Sequence, residues 1–226
     1  MVHEIRRTEA GDLVIPVDPY PTNLRALLFG IFIVASIAGF FLTDALFGLG
    51  GCSLLTFFGA LGVGVLVMMI SERLLRPRWS SQRFVELSPN ELRVVYKGDQ
   101  EQVIDPQQHV NVLMWRFKIE RRARVPQGWF VVAIALEQDD LFLPVYTLVS
   151  PETFESMAHT DHYKALETRK ERRARKNDDL LLAGLQRRLM TAEMARSIEG
   201  VEMTPENYGA YIDWLRQNFP QWMPSH

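Results

Sequence analysis

The sequence predicts a membrane α-hairpin joined to an α+β domain: two transmembrane helices, an antiparallel β-barrel or sandwich closed by a helix, and C-terminal amphipathic helices. Three observations predict this fold class. Residues 26–71 carry one formal charge, Asp44. Short segments that alternate apolar and polar residues then follow between positions 84 and 146, as half-buried strands do. Helix-capping residues precede two later segments, at Ser150 and Thr204.

The hairpin is predicted from two uncharged stretches, 26–43 and 45–70. About 20 apolar residues at roughly 1.5 Å rise per residue cross a hydrocarbon core, so two spans fit this region. The residues before position 24 are mostly polar, which places the apolar stretch too late for a signal peptide. The chain is therefore divided into a cytosolic segment 1–23, the hairpin 24–72, a β domain 78–160 and a C-terminal region 161–226.

Basic residues near the ends of the spans predict their orientation, because cytoplasmic flanks retain Lys and Arg. The turn between the spans has no basic residue, so both termini are expected in the cytoplasm. The basic residues that flank the spans are Arg6, Arg7, Arg25, Arg73, Arg76, Arg78 and Arg83.

Small residues recur along both spans and predict close helix packing, because apolar burial does not drive helix association in lipid. The candidates are Ala35, Gly39, Gly59, Gly62 and Gly64. They either hold the hairpin together or dock it onto a partner membrane subunit. Neither span contains a Lys, Arg, His or Glu within its apolar run, so transport by this chain alone is not expected.

The β domain is predicted from six strand-like segments separated by turn formers such as Asn90, Gly98 and Pro126. Six strands at this spacing suggest a sandwich or small barrel. A helix is expected next, because Ser150 suits the N-cap, Pro151 the first helical position and Glu152 the positive end of the helix dipole. The predicted strands are 84–87, 92–97, 102–105, 110–119, 128–137 and 141–146.

Features of the region 25–158 resemble bacterial membrane proteins with a pleckstrin-homology-like domain, the YcxB-like group especially. The resemblance is carried by the two-span hairpin, the motif Leu87-Ser88-Pro89-Asn90-Glu91-Leu92-Arg93-Val94, a middle strand bearing Trp115, and Leu141-Phe142-Leu143-Pro144 before a capped helix. The family often has a basic residue and an aromatic just beyond the last motif, where this chain has Val145-Tyr146. The resemblance implies a pleckstrin-homology-like fold, a bacterial inner membrane and no catalytic residues; a different small β domain is the alternative.

A basic cluster follows Trp115 on what is predicted to be one strand and its turn. It consists of Arg116, Lys118, Arg121, Arg122 and Arg124. Because Arg116 and Lys118 alternate with Trp115, Phe117 and Ile119, we expect both to point away from the core. The cluster either contacts anionic lipid headgroups or an acidic partner, or is a solvated strand face.

The C-terminal region begins with a basic run, 169–176, that is typical of an exposed helix or linker. A formal net charge of −2 argues against a nucleic-acid partner. The last predicted helix places an aromatic stripe on one face, formed by Tyr208, Tyr211, Leu215 and Phe219. This stripe packs on its own domain, docks on another protein or lies at the membrane interface.

No motif in the sequence specifies a reaction. His159 and His162 share a helical spacing without a third ligand, so neither a metal nor a cofactor is expected. Cys52 is the only cysteine, so no intrachain disulfide can form. The leading expectation is a non-catalytic membrane scaffold whose partners are lipid and other membrane or membrane-associated proteins. The alternatives are an accessory subunit of a larger membrane complex and a sensor of anionic lipid headgroups.

Overall fold

The computed structural model describes residues 4–8, 12–47, 53–120, 124–157, 159–168 and 180–223. The chain forms two compact units. The first contains Tyr20–Ser81, and the second contains Glu4–Pro19 together with Gln82–His226. The hairpin segment is therefore inserted into the chain of the second unit.

The first unit is a pair of long helices, α1 (Thr22–Phe47) and α2 (Leu54–Leu75), followed by a 3₁₀ turn at Arg76–Arg78. Ser53 caps α2, since its hydroxyl accepts a hydrogen bond from the Leu55 N–H at 3.2 Å. Both helices are long and apolar enough to cross a bilayer. Most of their large apolar side chains face outward, so the pair does not bury them as a soluble core would.

The second unit contains two five-stranded sheets. The first sheet is an antiparallel meander in the order β1-β2-β3-β4-β5. Its strands are β1 (Arg6–Arg7), β2 (Leu13–Pro16), β3 (Arg83–Ser88), β4 (Glu91–Tyr96) and β5 (Asp99–Ile104). The β4–β5 turn places Lys97 at φ 54° and Gly98 at φ 94°, and such left-handed pairs match the twist of a two-residue hairpin.

The second sheet has the order β10-β8-β7-β6-β9. Its three long strands are antiparallel, and the short edge strands β9 and β10 pair in parallel with β6 and β8. The strands are β6 (Asn111–Lys118), β7 (Phe130–Gln138), β8 (Leu141–Val149), β9 (Lys164–Ala165) and β10 (Val201–Met203).

Within the described ranges, three α-helices complete the second unit: α3 (Pro151–Ser156), α4 (Leu180–Glu199) and α5 (Pro205–Asn218). The inner faces of both sheets and the apolar face of α5 share one core, to which β3 contributes Val85 and β7 contributes Ile134. On the opposite face of the second sheet, Leu189 and Ala192 of α4 pack against Trp115. The second sheet is therefore covered on both faces.

The structure agrees with the coarse prediction and differs in three particulars. All six predicted strands are present with shifted ends; β5, for example, begins at Asp99 and β8 continues to Val149. Among the described residues the two sheets do not join into a closed barrel. The helix predicted at Ser150 has only six residues, and the N-terminal segment supplies strand β2, which was not predicted.

Candidate functional site

Three of the five small residues singled out in the spans lie where α1 and α2 touch. A Cβ atom at Gly39 would lie 2.8 Å from the Cβ of Val63, and one at Gly59 would lie 2.7 Å from Cγ2 of Thr43. A Cβ at Gly64 would overlap the Ser36 hydroxyl. Real Cβ atoms do not approach so closely, so these glycines set the distance between the helices.

The other two small residues take different positions. Gly62 is exposed on α2, and a Cβ built there meets no atom within 4 Å. Ala35 is half-buried on α1. Pairing of the two helices therefore does not require glycine at position 62.

A group of aromatic and charged side chains surrounds one end of the hairpin. The Tyr20 hydroxyl donates a hydrogen bond of 2.7 Å to Oε1 of Glu72. The guanidinium groups of Arg25 and Arg76 lie over the Tyr20 ring, 5.1 and 5.4 Å from its centroid. Burial and the hydrogen bond to Glu72 raise the pKa of the Tyr20 phenol, so it remains a neutral donor. We call Tyr20, Arg25, Glu72, Arg73 and Arg76 the collar.

Arg116 departs from the expectation that it points away from the core. Its face of β6 is the inner one, which also carries Met114. The Arg116 guanidinium lies 4.8 Å from the ring centroid of Phe154 and 5.8 Å from that of Phe130. The alternation with Trp115 does not expose Arg116, because α4 covers the Trp115 face and the core covers the other.

The other members of the predicted basic cluster that the structure describes do not share a surface with Arg116. Lys118 is exposed at the end of β6. Arg124 forms an ion pair with Glu202 of β10. Arg121 and Arg122 lie outside the described residues, as does the basic run 169–176.

The aromatic stripe near the C-terminus is part of the core. Tyr208, Tyr211 and Leu215 are 0% exposed and Phe219 is 7% exposed. The Tyr208 hydroxyl donates to the Tyr163 hydroxyl at 3.2 Å. Of the open alternatives, the structure thus shows packing of α5 on its own domain, and the stripe offers no accessible surface for docking a partner.

A half-buried charged cluster that the sequence did not reveal surrounds Arg83, the first strand residue after the hairpin. Its guanidinium contacts Asp18 at 3.0 Å, Glu101 at 2.7 Å and the Glu199 and Gly200 carbonyl oxygens at 3.1 and 3.3 Å. Burial lowers the pKa of the Arg83 guanidinium, but Asp18 and Glu101 more than offset that effect and leave it raised. In the sequence Arg83 is one of the basic residues that flank the spans, and nothing nearby indicates its partners.

Asp18 completes this cluster from the segment that precedes the hairpin. Its backbone adopts φ 52°, its N–H donates to the Glu202 carbonyl at 2.7 Å, and its Oδ1 accepts from the Glu202 N–H at 3.1 Å. We call Asp18, Arg83 and residues 199–202 the clasp. It connects the chain just before the hairpin, the chain just after it and the loop between α4 and β10.

A second cluster lies between α4 and the second sheet. Glu193 accepts from the Trp115 indole N–H at 2.9 Å and forms two hydrogen bonds with Arg196. Tyr146 donates to Oε2 of Glu202 at 3.1 Å, and the Arg196 guanidinium lies over its ring. Burial, reinforced by the Glu202 charge, raises the pKa of the Tyr146 phenol to about 12. These groups satisfy one another's charges and hydrogen bonds, as structural networks do.

His159 and His162 lie close together, as their spacing in the sequence indicated. The His159 and His162 rings stack with centroids 5.3 Å apart. Within the described ranges, no three His, Cys, Asp or Glu side chains come together in a way that could hold a metal ion. No family model, curated protein or solved structure matches this chain.

Proposed function

We propose that this chain is a non-catalytic integral membrane protein that holds a cytosolic pleckstrin-homology-like domain at the inner face of the bacterial inner membrane, where the domain binds protein partners. The observation that carries the proposal is the outward-facing apolar surface of α1 and α2, which ends in the basic and aromatic collar. Such a surface is suited to the hydrocarbon core of a bilayer, which supports the proposed membrane location.

The distribution of arginine supports an orientation with both termini in the cytoplasm. Arg25, Arg73, Arg76 and Arg78 all lie at the end of the hairpin where the chain enters and leaves it. The residues that join Phe47 to Leu54 contain no Lys or Arg. Cytoplasmic ends retain positive charge, so the collar end faces the cytoplasm.

The fold of the second unit supports the pleckstrin-homology-like proposal. Two largely antiparallel sheets share one core, and the capped helix α5 closes it with its aromatic face. Paired sheets covered by a helix are compatible with the domain that the resemblance implies, although α5, more than the helix at Ser150, covers the core. The half-buried charged groups form ion pairs within the clasp and within the Glu193 network, which supports a structural role for them.

A thiol-accessibility experiment tests the membrane topology, because Cys52 is the only cysteine and lies between the two spans in sequence. In intact cells whose outer membrane is permeable, a maleimide that cannot cross the inner membrane should label Cys52. The matched variant Cys52→Ser/Asn90→Cys places the only thiol in the exposed β3–β4 turn and should react only after the inner membrane is opened. Labelling of the Asn90→Cys thiol in intact cells would contradict the proposal.

A second candidate function is that of an accessory subunit packed into a larger membrane complex. Gly62 favours it, because this exposed glycine leaves room on α2 for a close approach by another helix. Purification in mild detergent should then give a stoichiometric particle that Gly62→Leu breaks apart and that Val65→Leu, at another exposed position of α2, leaves intact. A lone monomer or dimer would contradict this candidate.

A further inference from the structure

We infer that the collar end of the hairpin binds the phosphate of an anionic phospholipid in the cytoplasmic leaflet, in a groove beside the end of α2. The groove has a volume of about 300 Å³ and is lined by Met69, Glu72, Arg73, Arg76 and Pro77. The inference rests on the proposed membrane location of the hairpin. It assigns the lipid contact to a region outside the basic cluster 116–124.

The position of the groove suits a lipid that stands in the leaflet. Met69 belongs to the last apolar residues of the second span and is 60% exposed. Arg73 and Arg76 lie one and two turns further along, where the span gives way to charged residues. The apolar wall is therefore at the depth of the acyl chains, and the guanidinium groups are at the depth of the headgroup phosphates.

The charge of the groove suits an anion. Arg73 and Arg76 are exposed, and Arg25 reaches the same end of the hairpin from α1. Glu72 is the one acidic lining residue, and its Oε1 already accepts the Tyr20 hydroxyl hydrogen bond. Three arginines against one carboxylate leave an excess of positive charge, which an anionic headgroup would balance.

The residue type points to phosphate in particular. No lysine occurs before Lys97, so every basic residue at the ends of the spans is an arginine. If these positions needed only positive charge to orient the spans, lysine would serve as well as arginine. The planar guanidinium fork binds two phosphate oxygens at once, which an ammonium group does not.

Tyr20 holds part of this site in place. Arg25 and Arg76 both lie over its ring, and its hydroxyl is fixed by Glu72. The two arginines are therefore oriented before a headgroup arrives, which reduces the side-chain entropy lost on binding. Arg73 has no such contact among the described residues and completes the groove from the next turn of α2.

The test titrates phosphatidylglycerol and phosphatidylcholine into the full-length protein in mild detergent and measures bound lipid by native mass spectrometry. We expect the native chain to retain phosphatidylglycerol preferentially. Arg73→Gln/Arg76→Gln should weaken that binding about tenfold or more, because each arginine near an anionic surface contributes measurably to affinity. Arg93→Gln/Arg187→Gln removes the same charge away from the span ends and should stay within about twofold of the native chain.

Three outcomes would overturn the inference. Equal retention of the two lipids removes the preference for an anion. Equal losses of phosphatidylglycerol binding in the two double variants would show that binding depends only on the overall charge of the protein. Displacement of phosphatidylglycerol by millimolar inorganic phosphate identifies a site for free phosphate. Thiol labelling of the same variants shows whether the proposed function has failed as well. If only the lipid site is wrong, the labelling pattern of Cys52 stays unchanged.

Discussion

At the scale of single residues, several polar side chains inside the β domain pair with one another. Trp115 donates to Glu193, Tyr146 to Glu202 and Tyr208 to Tyr163. Tyr211 is one of the contrasting cases, because its fully buried hydroxyl has no hydrogen-bond partner within the part of the chain that is described. A buried hydroxyl without a partner costs free energy of folding, whereas a paired one contributes a modest gain.

The pairing difference predicts opposite effects for two tyrosines on the same helix. Tyr211→Phe should leave the unfolding free energy unchanged or raise it by about 1 kcal/mol, because it removes an unpaired buried hydroxyl. Tyr208→Phe should lower it by about 1 to 2 kcal/mol, because it leaves the Tyr163 hydroxyl without its donor. Denaturant unfolding of the full chain in detergent measures both. Equal effects of the two substitutions would contradict this assignment.

The buried tyrosines also predict a loss of stability in alkali. Burial raises the pKa of the Tyr163 phenol from 10.0 to about 12. The folded state then holds this proton more tightly than the unfolded state does. The stabilisation that results is fully present below the pKa that Tyr163 has in the unfolded state. It is lost as the pH rises through the pKa of Tyr163 in the folded state.

For Tyr163 alone, the unfolding free energy should fall by about 1.4 kcal/mol per pH unit across that window. Tyr163→Phe should reduce the slope by this amount. The measurement is unfolding free energy against pH, and a Tyr163→Phe protein with the native slope would show that this phenol does not contribute.

At the scale of elements, the helices of the hairpin are spaced by glycines on their inner faces. Gly39 lies against the Val63 side chain close to its backbone, so the contact cannot be relieved by rotating a flexible chain end. Gly62 lies on the same helix as Val63 but faces open space. The same residue type therefore has different roles at positions that composition alone cannot distinguish.

This difference predicts a matched pair of outcomes. Gly39→Ala should destabilise the hairpin by about 1 to 3 kcal/mol, because the added methyl group overpacks the contact. Gly62→Ala should be neutral or slightly stabilising, because alanine is the better helix former. Thermal unfolding in detergent compares the two, and equal stability of both variants would show that Gly39 does not set the helix spacing.

The elements that the sequence predicted well are those with local signals. The uncharged stretches, the alternating segments and the caps at Ser150 and Thr204 each depend on neighbouring residues. Strand β2 was missed because Leu13–Pro16 is short and pairs with residues of β3 beyond the whole hairpin. The exposure expected for Arg116 was wrong because alternation along β6 does not show that both faces of the strand are covered.

At the scale of the whole molecule, the second unit is assembled from distant parts of the chain. Its first sheet takes β2 from before the hairpin and β3 from after it, and its core takes α5 from near the C-terminus. The clasp connects these parts, since Arg83 contacts Asp18 together with the carbonyl oxygens of Glu199 and Gly200. No local pattern could have predicted it, because its members become neighbours only in the folded chain.

The clasp predicts that Arg83 contributes more to stability than a comparable surface arginine. Arg83→Met should lower the unfolding free energy by roughly 3 kcal/mol, because it leaves Asp18 and two carbonyl oxygens without their half-buried cation. Arg93→Met, which breaks the more exposed pair with Glu86, should cost about 0 to 1 kcal/mol. Denaturant unfolding of the full-length protein measures both, and equal losses would mean that the clasp stabilises the domain no more than an ordinary surface ion pair.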